Sequence, residues 1–174
     1  MRVFVTGASG WIGSAVVPEL VSAGHAVTGL ARSDASAERI RTAGATPVPG
    51  SLDDLESIRS GAAAADAVIH LGFKHDFSDY AGAGRTERAV VATIGDELAG
   101  SDRPFLFASG IVARPGELLT EDVASPYVGA DAPRGGGEAF AFEYADRGVR
   151  PVALRFSPTV HGRGDHGFST ELVR

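Results

Sequence analysis

Gly7, Gly10 and Gly13 stand three residues apart in Val5-Thr6-Gly7-Ala8-Ser9-Gly10-Trp11-Ile12-Gly13. An apolar strand-like run (Arg2–Val5) precedes them, and an apolar helix-patterned stretch (Trp11–Ala23) follows. In that context the three glycines do separate physical jobs. One permits a tight strand-to-helix turn, one lets a diphosphate approach the backbone closely, and one lets the helix pack close to the sheet. Thr6, Gly7, Gly10, Trp11, Ile12 and Gly13 would then surround a diphosphate held at the positive end of the helix. The pattern points to dinucleotide binding.

Which dinucleotide is read at the end of the second strand. An acidic residue there bonds a ribose 2′-hydroxyl. Here the strand ends on Ala31, followed by Arg32 and Ser33. Without a carboxylate, an arginine and a hydroxyl suit a 2′-phosphate. The expectation is NADP, with NAD as the other candidate; alternatively Arg32 is a solvated charge at a helix entry.

Other chemistry-bearing residues are scattered. Ser109 ends an apolar strand at the place where a reacting carbonyl should lie, unless it only caps the next turn. Tyr127 lies in a loop, either as an acid or as a packing aromatic. Arg134 and Glu138, four apart, could bind a substrate anion or relay a proton, but are read as an ordinary helix ion pair, worth about 0.3–0.5 kcal/mol. His25 and His70 sit at strand ends and read as structural. His161, Asp165 and His166 cluster in a glycine-rich loop without rigid ligand spacing, so no metal is expected.

The elements that must hold these residues alternate. Strands are read at Arg2–Val5, Ala26–Leu30, Thr46–Val48, Asp66–His70, Pro104–Ala108 and Pro151–Phe156. Helices are read at Trp11–Ala23, Ala35–Ala43 (capped by Asp34), Asp53–Ala62, Ala81–Leu98 and Arg134–Asp146. Pro18 falls inside the first helix, where it should remove a hydrogen bond and bend it. Continuous apolar strands such as Val3-Phe4-Val5 and Phe105-Leu106-Phe107 suit a buried parallel sheet. Repeated βα units with right-handed crossovers predict a Rossmann-type, doubly wound α/β sheet of order 3-2-1-4-5-6.

Composition narrows the partners. With 174 residues there is material for one domain, read as dinucleotide-binding over 1–174. A net charge of −6 gives no electrostatic case for nucleic acid or an anionic membrane. No cysteine is present, which excludes disulfides and thiolate chemistry. Basic and apolar leader patterns and long apolar spans are not seen, so the expected compartment is the cytoplasm. Phe168–Arg174 reads like the opening of a further element, so the chain is expected to be part of a longer protein. An apolar sheet edge left uncovered would favour a homodimer.

The Thr-Gly-x-x-Gly-x-x-Gly turn resembles the short-chain dehydrogenase/reductase superfamily. Ala23-Gly24-His25-Ala26-Val27, Val68-Ile69-His70-Leu71, Phe107-Ala108-Ser109-Gly110 and Leu154-Arg155-Phe156-Ser157-Pro158-Thr159-Val160-His161-Gly162 are similar to its extended and atypical epimerase/dehydratase branch. The resemblance implies Ser51 and Leu52 beside the adenine, and Leu71, Gly72 and Phe73 along the ribose side. It also implies Pro158 and Thr159 near the nicotinamide, and a small C-terminal substrate domain that this chain lacks. The family commonly carries Asp at the position of Ser51. Its Tyr-x-x-x-Lys pair would fall on Arg134 and Glu138, leaving neither phenol nor ammonium. Tyr127-x-x-x-Asp131 offers a phenol, but a carboxylate would raise its pKa, the wrong direction.

The expected function is therefore an NAD(P)-dependent oxidoreductase or epimerase-like protein acting on a small carbonyl or sugar-like substrate, with Ser109 and Tyr127 as its candidate catalytic residues. The alternative is a non-catalytic NADP(H)-binding regulatory protein. A third reading is a cofactor-binding half without turnover of its own.

Overall fold

The computed structural model describes residues 1–76, 78–111, 116, 118–157 and 159–162. Six strands, β1 (Arg2–Thr6), β2 (Ala26–Ala31), β3 (Thr46–Pro49), β4 (Ala67–His70), β5 (Pro104–Gly110) and β6 (Arg150–Phe156), form one sheet in the order β3-β2-β1-β4-β5-β6. Every pairing is parallel. The expected order is thus observed. Helices α1 (Gly13–Ser22), α2 (Asp34–Thr42), α3 (Leu55–Ala63), α4 (Tyr80–Leu98) and α5 (Gly137–Phe142) make the crossovers.

Alternation along the strands divides the core between two faces. β1 sends Phe4 to one side, where it packs with Ile58, Val90, Ile94, Phe105 and Phe107 from α3, α4 and β5. Val3 and Val5 go to the other side, with Val17 of α1 and Ile40 of α2. Phe4 and Val5 are completely buried. Because β1 and β4 are central, their carboxyl ends are fixed from both faces, and the loops leaving them inherit that precision.

Two local expectations are corrected. α2 is capped by Ser33, whose hydroxyl accepts from the Ser36 N–H at 3.2 Å, and Asp34 is the first helical residue. Serine wins because Ser36 returns the bond to the Ser33 N–H and closes a capping box. Pro18 lies on the exposed side of α1, which spans Gly13–Ser22, and as a proline it gives no N–H to the helix ladder. The continuous helix expected over Arg134–Asp146 is instead a 3₁₀ turn (Pro133–Gly136), then α5, then a second 3₁₀ turn (Glu143–Arg147). Arg134, Gly135 and Gly136 all take positive φ, which stops an α-helix from starting there. Close packing is the cause: a Cβ on Gly84 of α4 would lie 2.8 Å from the Gly135 nitrogen, so backbone rests on backbone.

Candidate active site

The glycine turn carries the signs of a cradle. Gly7 has φ +69, and a Cβ there would stand 2.6 Å from the Gly72 nitrogen. A Cβ on Gly13 would stand 2.2 Å from the Gly7 oxygen. Both glycines therefore serve the turn itself. Gly10 is different: among the described residues a Cβ would meet only the Gly7 oxygen, at 3.1 Å. Its outer side is open to a ligand. Among the described residues no side chain caps α1 at Ile12, as suits a helix end turned towards an anion.

Around the turn the structure gathers most of the residues singled out above. Leu71 and Gly72 lie against Gly7, and the Leu52 side chain stands close over Gly72. Ser51 accepts from the Asp53 N–H, and Asp53 binds Lys74 at 2.5 Å, tying the loops after β3 and β4. The Trp11 indole N–H donates to the Val160 carbonyl at 2.7 Å, so the first turn touches the segment after β6. Arg32 is exposed, and no carboxylate pairs with it among the described residues. The Ser33 hydroxyl is engaged in capping α2. Pro158, Asp165 and His166 lie outside the described residues. Among the described residues no group of three or more His, Asp or Glu could hold a metal ion.

A buried polar chain connects this turn to a cleft at the carboxyl end of β5. Thr6 Oγ1 lies 2.5 Å from His70 Nδ1 and accepts the Gly72 N–H at 3.2 Å. His70 Nε2 lies 3.2 Å from Glu87 Oε2, and Arg134 donates to Glu87 Oε1 at 3.3 Å. One proton arrangement satisfies every member. The arginine-bound Glu87 carboxylate accepts from His70 Nε2–H, and His70 Nδ1 accepts from the Thr6 hydroxyl. His70 and Glu87 are only 1% and 4% exposed. The guanidinium of Arg134 also lies 4.3 Å from the centre of the Phe73 ring.

The cleft itself holds about 360 Å³ and is lined by Ser109, Tyr127, Arg134, Glu138, Glu87 and Tyr80, among others. Ser109 donates a short hydrogen bond to Glu138. Glu138 also faces Arg155, with contacts of 2.6 and 3.1 Å. The expected Arg134–Glu138 pair is therefore absent. Left-handed backbone at Arg134 takes the two side chains off a common helix face, and each finds a different partner.

Glu87, Arg155 and Tyr80 were not picked out in the sequence. For Glu87 a signal existed. It interrupts the apolar stripe Ala83, Val90, Val91, Ile94, Leu98 of α4, and a carboxylate on a core face needs a partner. Nothing comparable marks Arg155, whose role depends on β6 lying beside β5.

Comparison with known proteins agrees with this geometry. A family profile described as NAD(P)H-binding matches residues 7–128, the glycine turn through the loop that carries Tyr127. The chain belongs to this family, within the short-chain dehydrogenase/reductase superfamily. An uncharacterised protein of Schizosaccharomyces pombe is 44% identical over 99% of the chain, and the chain spans 59% of that protein. The decarboxylating sterol-4-alpha-carboxylate 3-dehydrogenase of Dictyostelium discoideum is 40% identical over 42% of the chain and 22% of its own length. A short-chain dehydrogenase/reductase superfamily protein from Agrobacterium tumefaciens, solved with bound NAD, superposes with a TM-score of 0.69 at 26% identity. That match covers 90% of this chain and 49% of the other. The NAD(P)H-binding chain described here has no helix, among its described residues, long and apolar enough to cross a membrane.

Proposed function

We propose that this chain is the cofactor-bearing part of an NAD(P)-dependent oxidoreductase of the epimerase/dehydratase type, acting on a small carbonyl or sugar-like compound. The observation that carries the reading is the cleft holding Ser109 and Tyr127 at the carboxyl end of β5, joined by buried hydrogen bonds to the glycine turn. In open parallel sheets ligands bind outside the carboxyl ends of the strands. The cradle fits a dinucleotide: open space faces Gly10, and the N-terminus of α1 has no side-chain cap. Thr6, Gly7, Gly10, Trp11, Ile12 and Gly13 would hold the diphosphate. Ser51 and Leu52 would meet the adenine, and Leu71, Gly72, Phe73 and Pro158 the riboses and nicotinamide. When bound, the nicotinamide supplies or takes up hydride. Ser109 holds the reacting oxygen of the substrate, and Tyr127 offers a phenol at the wall of the same cleft.

NADP is the preferred cofactor in this reading. Arg32 is exposed at the end of β2 with no competing carboxylate among the described residues, and a guanidinium there pairs with a 2′-phosphate. The test is titration of the chain with NADPH and NADH, followed by calorimetry and by the fluorescence of Trp11, its one tryptophan. NADPH is expected to bind at least about tenfold more tightly, one charge-assisted contact being worth about 1.5–3 kcal/mol. Arg32→Ala should remove that preference and leave NADH binding unchanged. Equal affinities in the unmodified chain would remove Arg32 from the role.

A second reading, an NADP(H)-binding protein without turnover, draws support from Arg134 and Glu138 standing where the superfamily has its Tyr and Lys. Cofactor binding with no hydride transfer across a panel of carbonyl compounds would favour it.

A further inference from the structure

We infer that the cleft takes a small hydroxy acid, with its hydroxyl on Ser109 and its carboxylate on Arg134. This rests on the oxidoreductase reading and names a substrate class for the same site. The direction of one hydrogen bond carries the first half. Glu138 faces the Arg155 guanidinium through three contacts, and an ionised carboxylate only accepts. The Ser109 proton is therefore committed to Glu138. What Ser109 presents to the cleft is lone pairs, which accept from a substrate hydroxyl, the reduced form of the carbonyl in the proposed reaction.

Arg134 carries the second half. It makes one hydrogen bond, through Nη2 to Glu87, and among the described residues its remaining guanidinium N–H groups have no acceptor. The side chain is 31% exposed, lines the cleft, and is held from behind by a Glu87 that is 4% exposed. Its backbone sits at φ 55, a conformation side-chain-bearing residues seldom adopt. Its Cζ lies 4.3 Å from the centre of the Phe73 ring, a cation–π contact that helps to place the guanidinium. A planar fork with free donors matches a carboxylate. Neither carboxylate of the cleft stands unpaired against one, because Glu87 faces Arg134 and Glu138 faces Arg155. The cleft's volume of about 360 Å³ has room for a small molecule.

The experiment uses the chain loaded with NADPH, so that a hydroxy acid binds without being oxidised, and reads affinity by calorimetry. The probes are lactate and 3-hydroxybutyrate, the deoxy acids propionate and butyrate, and lactamide. A hydroxy acid is expected to bind about tenfold more tightly than its deoxy acid, and lactate about tenfold more tightly than lactamide. Ser109→Ala should abolish only the discrimination against the deoxy acid. Arg134→Gln should abolish only the discrimination against the amide, and Arg134→Lys, which keeps the charge, should retain it. A role confined to structure would lower all affinities together. That outcome overturns the inference, as would equal binding of lactate and lactamide. Binding of NADPH with no binding of either hydroxy acid sinks this inference alone. Failure to bind NADPH sinks the dinucleotide reading with it.

Discussion

At the scale of single residues, alanine at Gly10 and at Gly13 should have different consequences. A Cβ on Gly13 collides with the turn's own backbone at 2.2 Å, and neither the Gly7 oxygen nor Ala8 can retreat without moving β1. Gly13→Ala is therefore expected to lower the thermal midpoint and to lose dinucleotide binding together. A Cβ on Gly10 touches only one oxygen, at 3.1 Å, and otherwise occupies the open space where a diphosphate would lie. Gly10→Ala should leave the melting curve nearly unchanged while weakening NADPH at least about tenfold, roughly one lost charge-assisted contact. Melting curves with calorimetric titrations on both variants check this. Equal loss of stability in both would mean that Gly10 serves only the turn.

At the scale of elements, the amino ends of β1 and β4 are tied by Arg2 and Asp66. The Asp66 carboxylate accepts from the Arg2 guanidinium at 2.6 Å and from the Arg2 backbone N–H at 2.8 Å. The Arg2 side-chain bond, with the backbone bond behind it, holds the Asp66 carboxyl down at about 2. A folded-state pKa below the ordinary carboxylate value contributes stability that is fully present above that ordinary value. It is lost as pH falls from near 4 through about 2. Asp66→Asn should thus melt below the parent at pH 7, by a small margin because the pair is exposed. The two curves should converge on acidification through that window. A gap that stays constant down to pH 2 would rule out the ion pair as its source. The same scale explains why α5 begins late: contact between Gly84 and Gly135 sets the approach of the Pro133–Gly136 turn to α4 and so aims Arg134 at Glu87.

At the scale of the whole molecule, the Thr6–His70–Glu87–Arg134 chain links β1, β4, α4 and the turn before α5 through the interior. His70→Leu keeps the volume roughly but removes both nitrogen partners, leaving the Thr6 hydroxyl proton without an acceptor and one Glu87 oxygen without a donor at almost complete burial. The expected cost is about 1–3 kcal/mol in urea unfolding, the desolvation penalty of an orphaned buried group. An unchanged midpoint would show that the network contributes nothing net. The glycine turn, the strand order and the strand-end position of Ser109 were legible in the sequence, because each is written in local spacing: apolar runs of strand length, helix-period stripes and a turn of fixed geometry. Helix starts were less legible, since capping at Ser33 depends on a reciprocal bond and the break at Arg134 on a distant glycine in α4. The partners of the charged residues were not legible at all. Glu87 meets Arg134 across 47 positions, and Glu138 meets Arg155 and Ser109 across 17 and 29. Sequence by itself determined that a parallel sheet would present a glycine turn and a strand-end serine at the same edge. Only the tertiary structure decided which carboxylate faces which guanidinium, because those pairings follow from helices and strands packing together rather than from any period along the chain.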